Sequence, residues 1–193
     1  MLLSAVEFSH KLLKETVCKG DCVVDATVGN GNDTVLLASL VGPTGSVIGF
    51  DIQKQAIENT RQKLMLTGLS DRVTLLHQGH ETVADVLPDK SEIGSAIFNL
   101  GYLPGGDKRV ITHKDTTLTA VNTLLPKLRI GSCIILVVYS GHLGGMEEKQ
   151  ALLDYVSGLN QSLYKVLQYG FINQINHPPF LIAIEKKRTP YMK

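Results

Sequence analysis

The chain has little that would tie it to a membrane, to disulfides or to a metal. No apolar run in its 193 residues approaches the roughly 20 needed to span a bilayer. Its first residues, Met1-Leu2-Leu3-Ser4, lack the basic segment and apolar core of a secretory signal, so a cytoplasmic location is expected. Three cysteines, Cys18, Cys22 and Cys133, form neither a CxxC pair nor an even set. They are expected to be buried small apolar residues in a reducing compartment. His10, His113 and His177 lie in no metal-like cluster, and no metal is expected. A formal net charge of +1 excludes no class of partner, because a neutral protein can still bind nucleic acid through one basic face. The short basic clusters at Lys108-Arg109, at Lys127 and Arg129, and at Lys186-Lys187-Arg188 are expected as solvated surface. Repeats, low-complexity tracts and Pro/Ser-rich linkers are absent too, so residues 1–193 are expected to form one domain.

What is present is an alternation of helix and strand. Leu2, Val6, Leu13 and Val17 fall on roughly one face of a helix over residues 3–17. Strands are expected at 22–27, 46–50, 73–77, 93–99 and 132–139. Helices are expected at 33–40 and at 53–66, the second with Ile57, Thr60 and Leu64 inward and Gly68 as its stop. Two later helices are marked by Leu118, Val121, Leu125 and Leu128, and by Leu152, Val156, Leu159 and Leu163. Pro126 should kink or end the first of these. The run 132–139 is apolar throughout, as a central parallel strand covered on both faces would be. The gap 174–179 between the last two strand-like runs, 165–173 and 180–186, is too short for a crossover helix. Those two strands should therefore form an antiparallel hairpin. The α/β architecture expected is five parallel strands plus that C-terminal hairpin, with any ligand at the carboxyl ends of the strands.

The first of those ends reads "VVDATVGNGNDT", residues 23–34. Gly29 and Gly31 let the backbone turn tightly and approach a ligand without an intervening Cβ, although a plain structural turn would use them as well. Asp51 ends the second strand, 22 residues after Gly29. An acid there can accept both hydroxyls of an adenosine ribose, or it can cap the helix that follows. A dinucleotide fingerprint would want a third glycine where Thr34 stands, and Asp33 would repel a pyrophosphate at this helix N-terminus. A cofactor with no phosphate and a cationic amino-acid tail fits better, and S-adenosylmethionine has that character. Asp25 and Asp33 are the candidates to hold its amino group, directly or through water. After the third strand, "HQGHET" offers His80 and Glu81, which either touch the base or ribose or cap a short helix.

The fourth strand runs into "NLGYLPGGD", residues 99–107. An amine nucleophile must present its lone pair in line with the methyl–sulfur bond. An amide oxygen such as that of Asn99 and a backbone carbonyl can accept its N–H groups and aim it. The ring of Tyr102 can hold a flat base or a cationic product. Deprotonating an ammonium with a lysine-like pKa at neutral pH costs roughly 4 kcal/mol. Asp107, Tyr139 and His142, on the fourth and fifth strand-end loops, are candidates to take or relay that proton. His142 titrates nearest neutrality, and it is equally readable as a polar loop residue. Cys133 lies mid-strand, which makes it a poor nucleophile for carbon methylation of a base.

Four stretches, "DATVGNGNDT", "FDIQKQAI", "NLGYLPGGDK" and "YSGHLGG", together resemble the small bacterial class I methyltransferases of the rRNA methylase (YtqB-like, MnmM) family, across essentially the whole chain. The resemblance implies a Rossmann-like, seven-stranded, mostly parallel sheet of order 3-2-1-4-5-7-6. It also implies methylation of the exocyclic amine of 5-aminomethyl-2-thiouridine at the tRNA wobble position, with the anticodon stem-loop as partner. Carried over by position, the cofactor side comprises Asn30, Asn32, Asp51, Gln53, His80 and Glu81, beside Thr27, Gly29 and Gly31 of the glycine-rich loop as further cofactor candidates. The acceptor side comprises Asn99, Tyr102, Asp107, Tyr139 and His142. Methylation of rRNA or of a small-molecule amine by the same site is the alternative activity, and a non-catalytic binding module the alternative class. A homodimer is the expected assembly.

Overall fold

A computed structural model describes residues 1–87, 90–101, 105, 111–141, 144–176 and 178–187. Seven strands form one sheet: β1 (Cys22–Asp25), β2 (Ser46–Phe50), β3 (Val73–Leu76), β4 (Ile93–Leu100), β5 (Leu128–Val138), β6 (Tyr164–Tyr169) and β7 (Phe180–Lys186). Their order is β3-β2-β1-β4-β5-β7-β6. The first five run parallel, while β7 pairs antiparallel with both β5 and β6. This is the expected class I architecture with its terminal hairpin.

Among the described residues, six α-helices cover the two faces: α1 (Ala5–Thr16), α2 (Asn32–Val41), α3 (Lys54–Thr67), α4 (Val83–Val86), α5 (Lys114–Leu124) and α6 (Gly145–Ser157). One face of the sheet buries Val23, Val47, Ile135 and Val137 against α1, α2 and α3. The other buries Val24, Phe98, Ile134 and Leu136 against α4, α5 and α6. Alternate residues of each strand point to opposite faces, so a strand apolar at every position fills both layers. Residues 132–138 of β5 are all buried, each large side chain contributing about 1.5–3 kcal/mol.

Several boundaries differ from the pattern reading. Leu125–Lys127 form a 3-10 turn with Pro126 near its start, and Leu128 already belongs to β5, not to the helix before it. The strand begins earlier because a bulge precedes its apolar run. Ile93 pairs with Leu128 and Ser95 with Cys133, and Gly131 takes φ +81 within the extra residues, where a side chain would be strained. Likewise α6 ends at Ser157, leaving Leu159 and Leu163 in the turn that leads to β6. The face of α1 is also rotated: it buries Ala5, Ser9 and Leu13, while Leu2 lies outside the helix with 76% exposure. Ser4 and Glu7 close that helix with a reciprocal capping box. Phe8 then stacks on Tyr169 of β6 at 4.3 Å between centroids.

Two expectations about surface groups are corrected. Cys18 is exposed beyond the end of α1, unlike the buried Cys133. Lys186 is 5% exposed, its ammonium donating to the carbonyls of Pro126 and Leu128, each at 2.6 Å. Two carbonyls at the junction of the 3-10 turn and β5 accept the ammonium, which explains a buried cation there. Arg129 is similarly held, by Asp21 at 3.1 Å and the Thr16 carbonyl at 2.8 Å. Among the described residues, no helix is long and apolar enough to cross a membrane.

Candidate active site

Parallel strands β1, β2, β3 and β4 end on one edge of the sheet, and the loops leaving them surround a cavity of about 300 Å³. That size is at the lower end of ordinary small-molecule sites. Its wall is formed by Ala26, Thr27 and Gly29 after β1, by Asp51 and Gln53 after β2, and by Gln78, His80 and Glu81 after β3. Asn99 from β4 and Gly101 just after it complete the wall, together with Ile111 to His113 and Thr116.

The loop after β1 is drawn tight by its neighbours. Gly31 adopts φ +75, and a Cβ added there would lie 2.6 Å from Thr60 Oγ1 of α3, so both conformation and space require glycine. Thr60 donates to the Gly29 carbonyl at 3.2 Å. Lys63, one turn further along α3, donates to the Asn30 carbonyl at 2.8 Å and to Asn32 Oδ1 at 2.7 Å. Asn32 is exposed and faces that lysine, away from the cavity wall.

Asp51 joins two loops. One carboxylate oxygen accepts the Gly29 N–H and the other the Gln53 N–H, both at 2.8 Å. It therefore supports the start of α3 while standing on the cavity wall. Each oxygen keeps a second lone pair for a hydroxyl donor.

His80 is buried, and its Nδ1 lies 3.0 Å from the Ala26 carbonyl. A carbonyl can only accept, so Nδ1 carries the hydrogen. Burial holds the imidazole below its ordinary pKa of 6.5, which leaves it neutral at pH 7. Its Nε2 then offers a lone pair, with no hydrogen-bond partner among the described residues. His80 and Glu81 do open a short helical turn, His80–Thr82, but no side chain caps it.

Asp25 is fully buried behind the wall. It accepts the Thr34 hydroxyl at 2.6 Å and the Thr27 N–H at 3.2 Å. Its pKa is pushed up to about 7, first by burial and then by the negative charge of Asp33, against those two hydrogen bonds. Unfolding restores an ordinary value of 3.8. Between pH 4 and 7 the unfolded chain is ionised at this group while the folded chain holds its proton. Stability therefore falls as pH rises through that window and levels off above it, by up to roughly 4 kcal/mol. Asp25→Asn should flatten this slope, read as urea midpoints at about pH 4.5 and 7.5; an unchanged slope would assign it to other groups.

Asp33 lies in the first turn of α2, and its two oxygens face different partners. Oδ1 is 2.6 Å from His10 Nε2 of α1, and Oδ2 accepts from Asn99 Nδ2 at 2.6 Å. The carboxylate can only accept, so the amide nitrogen of Asn99 must face it, and the amide oxygen points elsewhere. The Asn99 backbone N–H donates to Thr27 Oγ1 at 2.7 Å. Tyr139 follows β5, with its N–H bonded to the Leu100 carbonyl at 3.0 Å. Its phenol is raised above the ordinary 10, by burial and then by the charge of Asp33.

The sequence-expected groups Thr27, Gly29, Asp51, Gln53, His80, Glu81 and Asn99 thus share one cavity wall. Tyr102, Asp107 and His142 lie outside the described residues. Lys63 and Glu148 escaped the sequence reading, which weighed His10 and His113 only as metal ligands. Glu148 is 2% exposed and accepts from Thr112 at 2.7 Å and Thr117 at 2.8 Å, which anchors the segment carrying His113 to α6. A signal for it existed. Glu148, Leu152 and Val156 recur at intervals of four, a carboxylate in line with the buried stripe of its helix. For His10 there was none, because only the docking of α1 brings it to Asp33.

Among proteins of known family, the model described as "Putative rRNA methylase" matches residues 47–185. A chloroplastic tRNA (mnm(5)s(2)U34)-methyltransferase of Arabidopsis thaliana is 37% identical over 191 residues, 95% of this chain and 70% of that protein. The crystal structure of a "putative rRNA-methylase" from Clostridium thermocellum has a TM-score of 0.93 at 44% identity, covering 96% of this chain and 99% of that one. A "putative methyltransferase" from Streptococcus mutans in complex with SAH gives 0.88 at 42% identity, with 96% and 99% covered.

Proposed function

Because the chain belongs to the rRNA methylase family of S-adenosylmethionine-dependent methyltransferases, we propose that its acceptor is a tRNA wobble uridine. The reaction is methylation of the exocyclic amine of 5-aminomethyl-2-thiouridine, giving 5-methylaminomethyl-2-thiouridine. The tRNA half of this reading is supported by the likeness to the Arabidopsis protein along 95% of the chain. The amine half rests on one observation, the amide of Asn99, whose nitrogen is committed to Asp33 and whose oxygen, among the described residues, is left to accept an N–H.

When bound, S-adenosylmethionine supplies a methyl group activated by a sulfonium and leaves as the thioether. The residues present fit it. Asp51 stands where ribose hydroxyls can donate to a carboxylate that the Gly29 and Gln53 amides already orient. His80, a neutral imidazole on the same wall, offers the adenine a ring held by the Ala26 carbonyl. Asp33, at a helix N-terminus, disfavours a phosphorylated ligand and suits a cationic one.

Asn99 aims the amine by accepting one of its hydrogens, so that the nitrogen lone pair faces the methyl carbon. The amine's surplus proton must leave. Tyr139, with its pKa raised, keeps its own proton at neutral pH. It therefore serves as a donor or aromatic wall, not as the base. Asp107 and His142 are the proposed proton acceptors, and Tyr102 the proposed stacking surface for the base. Methylation of rRNA or of a small amine by the same groups is the second reading, favoured by the family's description.

Mass spectrometry of wobble nucleosides from a strain lacking the protein tests the reading. Loss of 5-methylaminomethyl-2-thiouridine with build-up of the unmethylated amine is expected. An unchanged nucleoside profile would sink the substrate claim.

A further inference from the structure

Asn99 is fixed at two levels by different parts of the chain. Its backbone is fixed by Thr27 Oγ1 at 2.7 Å, and its side-chain amide by Asp33 Oδ2 at 2.6 Å. The second fixing is only as good as the orientation of the Asp33 carboxylate. The terminal torsion of an aspartate is broad, and one hydrogen bond at one oxygen does not set it. The other oxygen is held by His10 Nε2, 2.6 Å away. The three residues come from separate elements, α1, the first turn of α2 and the end of β4.

We propose that His10 is a positioning residue for methyl transfer, holding Asp33 so that the Asn99 amide oxygen stays turned toward the acceptor amine. The α1 helix, which precedes the sheet, is then part of the acceptor half of the site. This inference rests on the acceptor-side role of Asn99 given above.

The electrostatics around Asp33 support the need for His10. The Asp33 side chain is 11% exposed, and its charge raises the pKa of both Asp25 and Tyr139. Those two groups are therefore near neighbours that do nothing to offset it. Among the described residues, His10 and Asn99 are the side chains that reach its oxygens. Without His10, a carboxylate in so dry a place loses one of its two fixed partners and can rotate toward water. A rotated Asp33 no longer holds Asn99 Nδ2. The amide is then free to flip and present its nitrogen, a donor, to the amine.

His10 itself is about one-third exposed and is absent from the cavity wall, so it acts through Asp33 and not on substrate. His10→Gln keeps an N–H donor at about the place of Nε2, whereas His10→Ala removes it. On tRNA carrying 5-aminomethyl-2-thiouridine, H10A is expected to lower kcat roughly ten- to hundredfold, as misaiming of a nucleophile does. Cofactor affinity by calorimetry should stay within about twofold of the parent, and H10Q should recover most of the rate. The second readout needs no turnover. Hydrogen exchange of the Asn99 side-chain amide, followed by NMR, should be slow in the parent and in H10Q and fast in H10A.

An unchanged kcat in H10A, with the parent enzyme active, would overturn the proposal. So would a matching loss of rate, cofactor affinity and thermal stability in both variants, which would make His10 structural. If the parent fails to methylate that tRNA, the substrate reading is lost while this one still stands or falls on the amide. An Asn99 amide still protected in H10A would then end it.

Discussion

Asn99→Ala is expected to reduce single-turnover methyl transfer by roughly a hundredfold or more, with cofactor affinity within about threefold of the parent. The residue's two attachments make this separation feasible. Alanine keeps the backbone N–H that Thr27 Oγ1 accepts, so the exit of β4 and the wall beneath it persist. What disappears is the amide that Asp33 orients, and with it the acceptor that aims the amine. Asn99→Asp probes the same point differently. It restores an acceptor oxygen but sets two carboxylates where a hydrogen bond of 2.6 Å stood, so it should rescue little. Quenched-flow transfer rates beside calorimetric titration with S-adenosylhomocysteine give both quantities. A parallel fall in rate and affinity would mean that Asn99 holds the fold or the cofactor and does not aim the acceptor.

The second large effect is expected at Asp51. Asp51→Ala should weaken cofactor binding by about two orders of magnitude, since each hydrogen bond to a charged group contributes about 1.5–3 kcal/mol and tenfold corresponds to about 1.4. Part of that loss is indirect. The carboxylate also receives the N–H groups of Gly29 and Gln53 at 2.8 Å each, so its removal loosens the glycine loop and the entry to α3. Asp51→Asn separates the two parts. One amide oxygen can still take a backbone N–H, while the NH₂ group must turn away from the other, giving an intermediate loss. Dissociation constants for the three proteins, measured beside their thermal midpoints, check this. An unchanged constant for the alanine variant would remove Asp51 from the ribose-binding role.

These residues show how unevenly the site could be read from the chain. Asp51 was legible because its meaning is local: an acid at the end of a second strand, a fixed distance after a GxG turn. The structure adds that it is not the N-cap of α3, a place taken by Gln53, although it accepts the Gln53 N–H and stands on the cavity wall. His80 and Asn99 were legible for the same reason, each lying at the exit of a recognisable apolar strand. Asp33 was noticed as a charge at a helix N-terminus, but its partners were not foreseeable. His10 precedes it by 23 residues and Asn99 follows it by 66. Lys186 shows the opposite error. In the sequence it belongs to a basic cluster, and only the turn formed around Pro126 supplies the carbonyls that bury it.

The sequence by itself determined the alternation of strands and helices, the antiparallel ending, and the strand exits at which ligands gather. Periodicity, glycine placement and loop length act over a few residues, so a linear reading captures them. Tertiary structure decided which side chains meet: His10 with Asp33 and Asn99, Lys63 with the glycine loop, Glu148 with Thr112 and Thr117. The physical reason is that a polar group's partner is set by the docking of whole elements on the sheet. Burying their apolar faces drives that docking, and the polar contacts that orient the site form where the docked elements bring donors and acceptors together.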